Sequence, residues 1–268
     1  MVFRVMFLVI QKNKKGMCSM IKGKTIQLDD YINLFELASL ERTDGILQIT
    51  LHDGKGQPLL WNSQAHTELP LLFRMVASDF KNKVVILTGA EDAFIPGIDK
   101  SSFQETIEPG QIYQEGKDML HSLLDIPVPV IGVFPGPAHV HAELVLLSDI
   151  VLSSETATIK DSHFSWGVPP GDGVHTVWTL LLGMNRGRYY LLTGEEITPE
   201  DALKWGLINE ILPKETLMSR AWELARDIAE KPDLTIRYTK EMITFELNRR
   251  IRDELSRGLA LEGLATNF

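Results

Sequence analysis

The sequence predicts an α/β fold built on a largely parallel sheet, and three observations carry that expectation. Short runs rich in β-branched residues recur at Lys83 (KVVILTG), Val128 (VPVIGVF) and Asp149 (DIVLSS), as strands buried on both faces do. Segments with helical patterning alternate with strands, and such alternation implies crossover connections between parallel neighbours. From about residue 175 the pattern turns helical and stays so.

Taken in order, the first ten residues, MVFRVMFLVI, form an apolar run too short to span a bilayer. The basic KNKK follows, and no small-residue cleavage site is evident, so residues 1–20 read as a leader from a start assigned upstream of the true one at Met17 or Met20, with a targeting role as the alternative. LASLERTDGILQITLHDGKG reads as two strands about a TDG turn, because ILQITLH alternates and ends in DGKG. An edge hairpin is expected there. Residues 64–79 have helical spacing, and AELVLLS is helix-like between the second and third buried strands. VHTVWTLLLG, NRGRYYLLTG, TPEDALKWG and ETLMSRAWELARDIAEK follow as helices, several closed by the glycine that favours a C-cap. Residues 234–264 continue in helical pattern. The boundary falls near residue 210, giving a core domain at 21–210 and a helical region at 211–268, which is too small and amphipathic to stand alone.

Composition narrows the class of function. Acidic residues number 36 against 27 basic ones, and a formal charge of −9 disfavours nucleic acid or an anionic membrane as the main partner. The single cysteine, Cys18, cannot form an intramolecular disulfide, which fits a reducing cytoplasm. No CxxC or paired-histidine spacing suggests zinc, so neither metal nor cofactor is expected.

HFSWGVPPGDG, residues 163–173, is the most chemically informative stretch. It places His163 and Asp172 on either side of a turn punctuated by Gly167, Pro169, Pro170, Gly171 and Gly173, where a continuous helix or strand is disfavoured. Imidazole titrates at about 6.5 and can take a proton from water and return it within one turnover. A carboxylate on its other nitrogen sets the tautomer. From this motif alone the alternative is a surface histidine and an Asp172 that caps the following helix.

Further motifs carry a family resemblance. KVVILTGAEDAFIPGIDKSSF resembles the first oxyanion-hole segment of the crotonase superfamily, the enoyl-CoA hydratases and isomerases. VPVIGVFPGPAHVHAELVLLSDIVLSSETATI resembles the second, and RYYLLTGEEITPEDALKWGLINEILP resembles later helices, over roughly residues 35–265. The resemblance implies a crotonase-like (ClpP/crotonase) fold of repeated ββα units with a C-terminal helical region. Within it, Trp61, His66, His141, His163, Asp172 and Glu262 are similar to positions of the 6-oxocamphor hydrolase-like β-diketone hydrolases. Those enzymes cleave a carbon–carbon bond without coenzyme A. The resemblance also implies a homotrimer or dimer of trimers, with contacts through the C-terminal helices.

Two departures count against thioester chemistry. Pro96 in FIPGID falls at or beside a position from which the family's acyl-CoA enzymes donate a backbone N–H, and proline has none. AHVHAE places bulk where small residues would let a backbone approach substrate. Side-chain donors are then needed: His141 and His66 to a carbonyl or enolate, and Trp61 as an indole donor and apolar wall. Core packing is the alternative for each. Glu143 fits an orienting or structural role, His139 a supporting one, and His52, His121 and His175 surface or core roles. The resemblance alone makes Glu262 a partner for His66 or His141.

The function that the resemblance implies is hydrolysis of a cyclic β-diketone by a retro-Claisen reaction, with His163, oriented by Asp172, activating water. The substrate is a small molecule. An acyl-CoA hydratase or isomerase using Glu143 with His163 or Asp172 is the first alternative, and a non-catalytic RNA-binding or scaffold member is the second.

Overall fold

The computed structural model describes residues 25–103 and 108–266; the leader at 1–20, with Met17, Met20 and Cys18, lies outside the described residues. β1 (Ala38–Thr43) and β2 (Ile46–Leu51) pair antiparallel, Thr43 opposite Ile46. Asp44 and Gly45 both take positive φ, 53° and 84°, as a two-residue hairpin turn requires. This is the expected edge hairpin.

β3 (Val84–Gly89), β4 (Val130–Phe134), β5 (Ile150–Ser154) and β6 (Glu210–Leu212) then add in parallel, giving one sheet in the order β1-β2-β3-β4-β5-β6. α1 (Ser63–Ser78) joins β2 to β3, and α2 (Pro109–Leu124) joins β3 to β4. Asn62 caps α1 by accepting the Ala65 N–H at 2.8 Å. Neither α2 nor the three-residue β6 is among the elements expected from sequence. The helix-like AELVLLS yields a single turn, α3 (Glu143–Leu146).

α4 (Val174–Leu181), α5 (Gly183–Thr193), α6 (Pro199–Trp205), α7 (Lys214–Ala229) and α8 (Asp233–Thr266) complete the chain. Gly194 and Gly206 close α5 and α6 in the left-handed conformation, as their positions predict. α7 lays Leu217, Ala221 and Ala225 against Ile46, Val84, Ile86, Ile131, Val133 and Leu152, while the larger core fills the other face. Cover on both faces is why the central strands lack a polar alternation.

α8 is 34 residues long and contributes Ile251, Leu255 and Leu259 to the main core. Its buried Lys240 is held by Asp149 at 2.6 Å. One close approach matters for the site. A Cβ on Gly171 would stand 2.2 Å from the Gly258 carbonyl oxygen, and one on Gly258 would stand 2.3 Å from that of Gly171. Only glycine at both places lets the loop after His163 rest on α8. Among the described residues no helix is long and apolar enough to cross a membrane.

Candidate active site

The chain leaving β5 is pinned at Ile159, which bridges Ala138 on one side and Ile197 on the other. His163 follows and starts a short 3-10 turn, Phe164–Trp166, that Gly167 closes at φ 77°. The loop then reverses through the prolines to Asp172, just before α4. His163 Nε2 lies 3.4 Å from Asp172 Oδ2, so the loop does bring the pair together.

The pairing differs from expectation in one respect. His163 Nδ1 is bonded to Asp161 Oδ1 at 2.7 Å, so the nitrogen expected to meet Asp172 meets Asp161. Asp172 lies on the Nε2 side, together with Glu262 Oε1 at 3.8 Å. Sequence reasoning missed Asp161; its signal was the D-x-H spacing two residues before the imidazole.

Asp172 Oδ2 also lies 3.4 Å from His141 Nδ1, which is itself bonded to Glu143 Oε1 at 2.6 Å. His141 sits at φ 50°, a conformation that costs a non-glycine residue energy. Its ring packs 3.9 Å from the Trp61 ring, and Trp61 in turn meets His66 at 5.9 Å, edge-on. The FIPGID segment places Trp61: its N–H donates to the Gly97 carbonyl at 2.9 Å, and its carbonyl accepts the Asp99 N–H at 2.8 Å. The Ile95 carbonyl accepts from His139 and Val140 N–H, tying the first segment to the second around Pro96.

Glu262 partners neither His66 nor His141 directly, contrary to expectation. It faces His163 and accepts the Gly171 N–H at 3.2 Å, a position set by the Gly171–Gly258 approach. His66 Nδ1 is instead 3.2 Å from Glu115 Oε2 on α2, a carboxylate the sequence reading did not flag. His139 turns away to Thr158 Oγ1 at 2.8 Å. His52 bonds Ser39 in the edge hairpin region, His121 is part-buried on α2, and His175 Nδ1 donates to the Pro170 carbonyl at 2.8 Å.

Charge in this cluster is lopsided. Among the described residues, no lysine or arginine bonds or ion-pairs with Asp161, Asp172, Glu143 or Glu262. Burial alone would lower the His163 pKa, but Asp172, the Asp161 hydrogen bond and Glu262 outweigh it and push it up to about 10. Burial and the neighbouring Asp172 raise Glu262 to about 7, against the pull of His163. Burial also acts to raise Asp172, yet His163 and His141 hold it below the usual carboxylate range. His141 is raised, Glu143 overcoming the effect of its burial; Glu143 is raised chiefly by its own burial.

The arrangement can hold and move protons across a few ångströms. His163, Asp172 and Glu262, and likewise His141, Glu143 and Asp172, present atoms within 4.8 Å of one another, a spacing that a divalent cation also fits. Perturbed groups so clustered are typical of catalytic sites.

The enoyl-CoA hydratase/isomerase family model matches residues 41–264. The chain belongs to this family. Its enoyl-CoA hydratase/isomerase fold is the crotonase fold anticipated from the oxyanion-hole segments. The chain is 28% identical over 230 residues to a short-chain-enoyl-CoA hydratase of Clostridium acetobutylicum, covering 84% of this chain and 86% of that protein. A solved β-diketone hydrolase from the cyanobacterium Anabaena sp. PCC 7120, bound to (S)-3-oxocyclohexyl acetic acid, is 41% identical. It superposes with a TM-score of 0.85 over 88% of this chain and 96% of that one. An enoyl-CoA hydratase/isomerase from Mycobacterium paratuberculosis is 25% identical, with a TM-score of 0.79 over 86% and 94% of the two chains.

Proposed function

We propose that this crotonase-superfamily protein is a cofactor-independent hydrolase of cyclic β-diketones, cleaving the carbon–carbon bond between the carbonyls to give a keto acid. The observation that carries the reading is the imidazole–carboxylate cluster around His163, Asp172 and Glu262, which lies where it can take a proton from water. The likeness to the Anabaena β-diketone hydrolase supports it, because the molecule bound to that protein is itself a keto acid.

In this reading His163 first passes its Nε2 proton to Glu262, and water against the bared Nε2 then gives up a proton and attacks one carbonyl. The tetrahedral intermediate collapses, breaking the bond to the carbon between the carbonyls, and that carbon leaves as an enolate. The second carbonyl takes the electron pair, so no further electron sink is required. His141, Trp61 and His66 line one side and supply donors for the developing oxyanion. Proton return to the enolate carbon gives the keto acid and restores the cluster.

Glu143, the group an acyl-CoA hydratase would need, is buried and bonded to His141, which supports an orienting role. The test is a panel of monocyclic and bicyclic 1,3-diketones run beside crotonyl-CoA and followed by absorbance. Diketone loss with no change in the thioester is expected; thioester turnover without diketone loss would favour the hydratase.

The same reading includes a homotrimer or dimer of trimers. Its support is the row of exposed apolar side chains on α8, among them Tyr238, Met242, Ile243 and Phe245, each more than 60% exposed. Sedimentation equilibrium is expected to return three or six times the chain mass, and a monomer at micromolar concentration would refute this.

A further inference from the structure

We propose that Asp161, and not Asp172, is the positioning residue for His163, holding a proton on Nδ1 so that Nε2 is the atom that meets water. This rests on the reading of His163 as the water-activating group.

Distance separates the two carboxylates. Asp161 Oδ1 stands 2.7 Å from Nδ1, the length of a charge-assisted hydrogen bond, whereas Asp172 Oδ2 stands 3.4 Å from Nε2. Asp172 Oδ2 is equally far from His141 Nδ1 and is buried without a hydrogen-bond partner among the described residues. It lies between two rings and locks neither. Its other oxygen accepts the Val174 N–H at 3.3 Å, which fixes the carboxylate and not the imidazole.

Asp161 has the mount that an orienting group needs. On one side Ile159 is bridged to Ala138 and Ile197, and the Lys160 N–H donates to the Ala138 carbonyl at 3.1 Å. On the other, Ser162 Oγ donates to the His139 carbonyl at 2.9 Å, and the Ser162 carbonyl accepts the Ser165 hydroxyl at 2.7 Å. The side chain is buried, and its second oxygen has no hydrogen-bond partner among the described residues. Its bonding capacity is therefore directed at His163, with no cation competing for it.

The chemical consequence is an assignment of the two ring nitrogens. With Nδ1–H donated to Asp161, Nε2 faces Asp172 and Glu262 across gaps of 3.4 and 3.8 Å. A proton can cross those gaps, and water meets Nε2 from beside them. Asp172 then acts on the reacting side, stabilising charge on the ring and accepting from water.

Asp161→Asn and Asp172→Asn separate the roles, read by kinetics on a 1,3-diketone and by 15N–1H NMR of the imidazole at a pH above that at which each protein's His163 gives up its first proton, where the neutral ring has one N–H to place. The amide of Asp161→Asn can donate to Nδ1 and drive the proton to Nε2. In a serine protease the corresponding change costs about 10⁴-fold in kcat. Here kcat is expected to fall by about 10² to 10⁴-fold with KM nearly unchanged, and the downfield Nδ1–H resonance of His163 is expected to vanish. Asp172→Asn is expected to keep that resonance. Its loss in Asp172→Asn, or its persistence in Asp161→Asn, overturns the proposal, and the Asp172→Asn spectrum decides alone if Asp161→Asn does not fold. The NMR result stands whether or not the diketone is a substrate, so failure of the proposed function would show separately as no turnover by wild type.

Discussion

His163→Ala is expected to lower kcat for a cyclic 1,3-diketone by about 10³-fold, within the range for loss of a general acid–base group. Asp172→Asn is expected to reduce it by about 10²-fold or more, because it removes the carboxylate lying 3.4 Å from both His163 and His141. The loss should fall on kcat more than on KM, since the packed Trp61, His66 and His141 rings are left in place. Steady-state kinetics with the melting temperature as a folding control measures both. Wild-type rates in the two variants would remove the pair from the mechanism.

The second large effect is on pH dependence, and its sign follows from the two groups facing each other across 3.8 Å. Glu262, raised to about 7 by burial and by Asp172, takes up a proton as pH falls. His163, held at about 10, gives one up only in strong alkali. Between these values the pair carries one proton, the state from which a transfer to Glu262 bares Nε2 for water while keeping a proton for the enolate. The rate constant kcat/KM is therefore expected to rise tenfold per pH unit up to about 7 and to fall again near 10. Glu262→Gln cannot take up that proton, so its acid limb should vanish while its plateau drops. An unchanged acid limb in Glu262→Gln would show that another group sets it.

Several features were readable from local pattern because they depend on neighbours in sequence. The edge hairpin followed from alternation and a TDG turn, and three central strands followed from β-branched runs. The C-caps at Gly194 and Gly206 followed from glycine at the end of an apolar period. β6 escaped notice because three half-buried residues carry no period, and its place comes only from hydrogen bonds to β5. α3 is shorter than AELVLLS suggested: the single turn ends at Leu146, and the chain is pairing again in β5 by Ile150.

The candidate site divides along the same line. Trp61, His66, His141, His163, Asp172 and Glu262 are identifiable as residue types in motifs, and Pro96 argues against a backbone donor from sequence alone. Which of them meet is not. Glu262 reaches His163 and not His66 because two glycines 87 positions apart, Gly171 and Gly258, let the loop and α8 touch. Glu115 reaches His66 because α1 and α2 pack side by side.

The family, the parallel sheet, the helical C-terminal region and the residue types available for proton transfer are legible along the chain, because hydrophobic period, turn chemistry and motif order are written locally. Which carboxylate faces which nitrogen of His163 is chosen by the folded chain. That choice depends on side-chain directions and on contacts between distant segments: Asp161 at 2.7 Å on Nδ1, with Asp172 and Glu262 at 3.4 and 3.8 Å on Nε2. An imidazole has two inequivalent nitrogens, and packing alone assigns them.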